Sequence, residues 1–179
     1  MTADSTTASV QIPRAGTYRL DPQRSKVSYS GRHMFGLGVV HATFTIRSGE
    51  LRVADPVTAS TVTVTLDAGS FESHNRKRDN DVRGASLLDV AAFPDITFVS
   101  DGLRTDGDSG RWLMSGTVTA HGNSVPVEVV ILEATPDGEG VHLRARAEHL
   151  DRYAFGVTKS KGMVGRHLDL DVDVVALPA

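Results

Sequence analysis

The chain has 179 residues, 40% of them hydrophobic, with 19 basic against 22 acidic side chains, seven histidines and no cysteine. This length suits a single domain that buries roughly 70% of its unfolded surface, so a core can form without staples. The missing cysteines exclude disulfides, thiol nucleophiles and thiolate-held metals, and a net charge of −3 gives no footprint for nucleic acid.

Residues 1–14 are rich in Thr, Ser and Ala and offer almost nothing to bury. They are expected to form a disordered tail before one domain spanning 15–179. They lack the apolar run of a secretory signal, and no stretch nears the ~18 apolar residues of a membrane span. A cytoplasmic protein is therefore expected.

From Tyr18 onward the pattern is alternation. Tyr18–Leu20 ends at Asp21-Pro22, and Ser25–Met34 follows, with Val27, Tyr29, Gly31 and His33 on one face. Val39–Val53 reads as one long strand with a bend or bulge expected near Ser48-Gly49. Val62, Val64 and Leu66 alternate with Thr61, Thr63 and Thr65. Period two places such sets on opposite faces, one dry and one wet.

The period changes between Phe71 and Pro94. The first half is charged: Glu72, His74, Arg76, Lys77, Arg78, Asp79, Asp81 and Arg83. In the second half Leu87, Leu88, Ala91 and Ala92 have helical spacing, and Pro94 stops the run. A helix over 86–93 is expected, with a further turn or two within 74–83. The whole insertion reads as a flap between strands.

Alternation resumes at Ile96 and Phe98. Arg111–Ala120 and Val125–Glu133 form a hairpin about His121-Gly122-Asn123-Ser124, Val141–Leu150 follows, and 151–165 is irregular. The last strand is the clearest, with Leu168, Leu170, Val172 and Val174 opposed to Asp169, Asp171 and Asp173. A long all-β chain with one wet face per strand either stacks two sheets or curls into a barrel, and about eight strands can enclose one small ligand.

Chemistry is sparse. No histidine pair has metal-type spacing with a carboxylate, and no GxSxG, GxGxxG or Walker loop occurs. No catalytic residue, metal site or cofactor is expected. His33 continues a dry face, where a satisfied core histidine competes with a ligand contact. For the charged half of the flap, a solvated surface competes with a polar gate. Arginine suits the gate because its fork offers several donors to phosphate or quinone oxygens.

Tyr18-Arg19-Leu20-Asp21-Pro22 with Ser25, Val27 and Tyr29, His33-Met34, Arg78-Asp79, Phe93-Pro94-Asp95-Ile96-Thr97-Phe98-Val99-Ser100, Gly116-Thr117 with Gly122, and Arg152 with Phe155-Gly156 occur in order. Together they resemble the YceI-like, polyisoprenoid-binding family across residues 17–177. Ala42 stands where that family usually has glycine, and Asn123 where threonine is common.

The resemblance implies an eight-stranded antiparallel lipocalin-like barrel around a long isoprenoid, such as a polyprenyl quinone or polyprenyl phosphate, often as a homodimer. The expected tunnel wall is Val27, Tyr29, Phe44, Ile46, Val64, Leu66, Leu87, Leu88, Phe93, Phe98 and Phe155. His33, Arg78 and Arg83 are expected near a polar head group. Val62, Ile96, Leu143, Leu168, Leu170 and Val172 complete the expected inward set. Three readings stay open: a lipid carrier, an enzyme or redox partner using His33 or the Arg78–Asp79 neighbourhood, and a packed barrel without ligand.

Overall fold

The computed structural model describes residues 10–179. The strands in order are β1 (Gly16–Leu20), β2 (Lys26–His33), β3 (Gly38–Phe44), β4 (Ile46–Val53), β5 (Thr61–Asp67), β6 (Asp95–Thr105), β7 (Trp112–Ala120), β8 (Asn123–Asp137), β9 (Gly140–Asp151) and β10 (Val164–Pro178). All neighbours are antiparallel, and β10 returns to pair with both β1 and β2. β1 and β2 are two stretches of one bent strand along β10, and β3 and β4 are two stretches of its neighbour. The result is a closed eight-stranded antiparallel barrel.

The bend in the second of these strands comes at Thr45, with a register shift between Ile46 and Ser48, slightly before the expected Ser48-Gly49. Three other shifts decide what faces inward. Between Ser100 and Gly102, between Ile131 and Glu133, and beside His149 the ladder slips by one residue. Each bulge reverses the alternation. Leu103, Ala134 and Leu150 therefore point inward although strict period two places them outside.

The flap differs from its expectation. The helix, α1 (Arg76–Arg83), forms in the charged half. Asn75 caps it by accepting the Arg78 N–H at 3.0 Å. The apolar stretch 86–93 is a series of turns instead. Two of its backbone N–H groups are spent on the end of α1, Leu88 donating to Val82 O (2.9 Å) and Val90 to Arg83 O (3.1 Å), while Ala92 and Phe93 donate to Asp89 O. Helical spacing, even with Ser86 placed as an N-cap in sequence, was insufficient to make a helix here, because the N–H groups of 87–90 bond back to Val82, Arg83 and Gly84.

Two glycines allow close approaches. A Cβ on Gly116 would lie 2.5 Å from the Phe98 ring and 2.6 Å from Val99 O, so only glycine lets Phe98 lie across β7. Gly156 holds φ +78° and ends the turn at Arg152–Phe155.

On the outer wall the acidic row of β10 is paired. Arg146 donates to Asp171 (2.9 Å), Asp169 (3.1 Å) and Glu148 (2.8 Å), while His142 meets Asp173 at 2.7 Å. Asp151 accepts from Arg166 Nη2 (2.8 Å) and from the Tyr153 N–H (2.9 Å). The Arg166 hydrogen bond, against a smaller effect of burial, lowers the Asp151 carboxyl from 3.8 to about 2. A depressed folded value means stability that is present above 3.8 and drains as pH falls through about 2. Asp151→Asn should therefore lower the urea midpoint at neutral pH, with the gap to the parent closing at the acid end of that window. Equal midpoints at pH 7 would reject the contribution.

Candidate functional site

The barrel is hollow. A cavity of about 190 Å³ occupies its centre and one end, and a second of about 120 Å³ lies under the flap. Val118, Leu150 and Leu170 line both, so the two form one interrupted tunnel. Many inward residues, Val62, Val64, Phe98, Leu170 and Val172 among them, are only half-buried because their inner surfaces face this space.

Alternation explains the first chamber. Val27, Val64, Leu66 and Phe98 line it together with Val62, Leu143 and Val172. Trp112, Val57 and the N-terminal Val10, Ile12 and Pro13 close its outer end. The first nine residues of the expected tail lie outside the described residues. Val10 instead bridges to Ala134, and Gln11 N–H donates to Ala134 O at 2.8 Å, which lays this segment across the mouth.

The inner chamber takes Tyr29, Phe44, Leu87, Leu88 and Phe155, with Phe71, Val157 and Val164. Phe71 meets Tyr29 and Phe44 edge-on, at ring distances of 5.6 and 5.4 Å, and anchors the start of the flap in the core. Two expected wall residues lie elsewhere. Ile46 is 1% exposed and packs in the core behind the wall. Phe93 lies on His121 and over Gly122, outside both chambers, because Pro94 turns the chain back into β6 at that point.

None of the three expected head-group residues lines either chamber. His33 stands over Gly38, where its Nε2 occupies the place a Cβ would take. Arg78 Nε donates to Ser73 Oγ at 2.8 Å. Arg83 donates to Phe71 O and lies 3.8 Å from Glu72. Both arginines fasten the flap, although the buried Arg83 Nε has no hydrogen-bond partner. Asp79 does the same from inside: it is 2% exposed and accepts the Ser73 N–H at 3.0 Å and the Ser73 hydroxyl. Burial pushes its carboxyl up, but these hydrogen bonds outweigh burial and hold it below the usual carboxylate value.

The charged residue that does reach the inner chamber is Arg152, seen in sequence only as part of a motif. It is 5% exposed and donates to Val157 O (2.7 Å), Gly165 O (2.9 Å) and Val164 O (3.0 Å). Its guanidinium ties the irregular 152–165 segment to itself and to β10. Burial lowers its pKa from the ordinary value, with Tyr153, Tyr29 and Asp151 pulling the other way. Burial also raises the Tyr29 phenol, while Arg152 and Arg78 oppose that shift. Among the described residues, no histidine or carboxylate lines the tunnel and no group of three metal-ligating side chains is assembled.

A closed antiparallel barrel with a largely carbon-walled interior is a lipocalin-like barrel. The model of the YceI-like domain matches residues 18–176, and the chain belongs to that family. A UPF0312 protein of Pseudomonas putida strain F1 is 32% identical over 171 residues, covering 89% of this chain and 85% of its own. One from Enterobacter sp. strain 638 is 28% identical, with the same coverage.

Burkholderia cenocepacia BcnA superposes with a TM-score of 0.75 at 20% identity, covering 87% of this chain and 98% of its own. A Saccharophagus degradans polyisoprenoid-binding domain, implicated in plant cell wall breakdown, superposes at 0.67 with 12% identity, covering 93% and 100%. These two likenesses establish the shared fold. No helix among the described residues is long and apolar enough to cross a membrane.

Proposed function

We propose that this protein binds a long-chain isoprenoid lipid, tail inward, and acts as a carrier for it. The observation that carries the reading is the tunnel itself: two carbon-walled chambers in line, joined at Val118, Leu150 and Leu170. Apolar surface moved out of water is worth roughly 25 cal/mol per Å², about 0.8 kcal/mol for each buried CH₂, so a flexible chain supplies its own driving force. A wall with almost no hydrogen-bonding groups favours a ligand that needs none along most of its length. The name of the Saccharophagus degradans domain points to the same ligand class. Catalysis on the lipid is the weaker reading, because the titratable side chains on the described walls are Tyr29, Arg144 and Arg152 only.

The test is mass spectrometry of an organic extract from purified protein, followed by titration with a fluorescent polyprenyl probe. A co-purified polyprenyl species, or saturable binding of the probe, is the expected result. An empty extract together with no probe binding would sink the proposal.

A narrower test concerns the flap. Leu87→Ala with Leu88→Ala removes wall from the inner chamber and should weaken retention of the tail roughly tenfold or more, with the far-ultraviolet circular dichroism of the barrel unchanged. Unaltered retention in the folded variant would remove these leucines from the binding surface.

A further inference from the structure

The turn between β2 and β3 carries an exposed block of carbon that the fold does not use. Met34, Phe35, Leu37 and Val39 are 48%, 78%, 87% and 51% exposed. Met163, 52% exposed, is held beside them from the loop before β10. The two segments are bonded together. Met34 N–H donates to Met163 O (3.0 Å) and Phe35 N–H to Gly162 O (2.6 Å). The Phe35 ring rests on Gly162, 2.5 Å from where a Cβ would stand.

Met34 and Phe35 both hold left-handed backbone, φ 51° and 58°, which is unfavourable for large side chains. This turn presents its apolar side chains outward at a conformational cost, where a hairpin of Gly and Asn would meet none.

The two segments that build this block carry charge of one sign, and the flanking carboxylates of Asp151 and Asp169 are paired with Arg166 and Arg146. Residues 30–41 and 156–167 contain Arg32, Lys159, Lys161 and Arg166 and no Asp or Glu, in a chain whose net charge is −3. All four cations are exposed, and only Arg166 is taken by a carboxylate, Asp151. Exposed carbon inside a cationic rim matches the surface of a membrane carrying anionic lipid, where acyl chains receive the carbon and head groups the charge. A second copy of this chain fits less well, because a two-fold contact through the patch sets the same cations against each other.

We infer that the β2–β3 turn and the adjoining 159–163 loop dock the barrel on an anionic lipid surface. Val164 of β10, paired with His33 at the end of β2, lines the inner chamber, so docking brings that end of the tunnel to the membrane. The inference does not depend on what the tunnel holds, and it is tested without cargo.

The experiment is co-sedimentation of the full chain with vesicles of phosphatidylcholine alone or doped with phosphatidylglycerol. Partition onto the anionic vesicles, weakened by added salt, is expected. Phe35→Ser with Leu37→Ser should cut it roughly tenfold or more. Lys159→Gln with Lys161→Gln should cut it roughly fivefold per charge removed. All four sites are exposed, so unchanged melting curves confirm folding, and the lysine pair keeps the test open if the turn variant misfolds. Failure to sediment with anionic vesicles, or parental binding by both variants, overturns the inference. So does a dimer by analytical ultracentrifugation that dissociates on Phe35→Ser/Leu37→Ser while vesicles are ignored, since it makes the patch a contact between copies.

Discussion

Arg152→Ala is expected to lower the unfolding free energy by about 3 kcal/mol or more, a melting shift of roughly 10 °C for a chain of this size. The side chain donates to three carbonyls, of Val157, Val164 and Gly165, from a site 5% open to solvent. Truncation leaves those carbonyls short of partners in a place water reaches poorly, and it enlarges the inner chamber. Arg152→Lys should rescue little, because one ammonium cannot reproduce a planar fork that reaches three acceptors at once. The check is a guanidinium denaturation series in which the midpoint falls while the slope holds. A loss under about 1 kcal/mol would show that the 152–165 segment is held by other contacts.

Val118→Phe is expected to shorten the longest isoprenoid that the protein retains, and to weaken binding of longer ones by roughly tenfold or more, about 1.4 kcal/mol. Val118 lines both chambers, so the added ring enters the passage between them. Overpacking usually costs about 1–3 kcal/mol, but here the ring meets a void, and stability should change by less than that range. Affinity measured against a ladder of polyprenyl chain lengths is the readout. A uniform loss at all lengths would mean that the chain does not thread from one chamber into the other. Unchanged binding at every length would place the ligand outside the tunnel.

Much of the barrel is legible without coordinates. Alternation in β2, β5 and β10 identifies their inward residues, since period two leaves a strand only two choices and one of them is charged. The same rule finds most of the tunnel wall, including Val27, Val64, Leu66 and Phe98. The flap is legible as an interruption, and its two leucines as apolar. Leu103, Ala134 and Leu150 are not, because the bulges that turn them inward depend on how the neighbouring strand is engaged.

The polar residues show the sharper limit. Arg78, Arg83 and Asp79 look like a gate in a linear reading, yet they spend their hydrogen bonds on Ser73 and Phe71. Arg152 enters a linear reading only as part of a motif with Phe155-Gly156, yet it is the one that reaches the inner chamber. Which donors meet which acceptors is a matter of distance in space, and sequence separation says nothing about it. By itself the sequence determined a β fold with one dry face per strand, no thiol chemistry and a charged flap. Only the tertiary structure decided that the dry faces stand apart and enclose a tunnel. Alternation sets the direction of a side chain, whereas the width between opposite walls follows from strand number, tilt and stagger around the closed sheet.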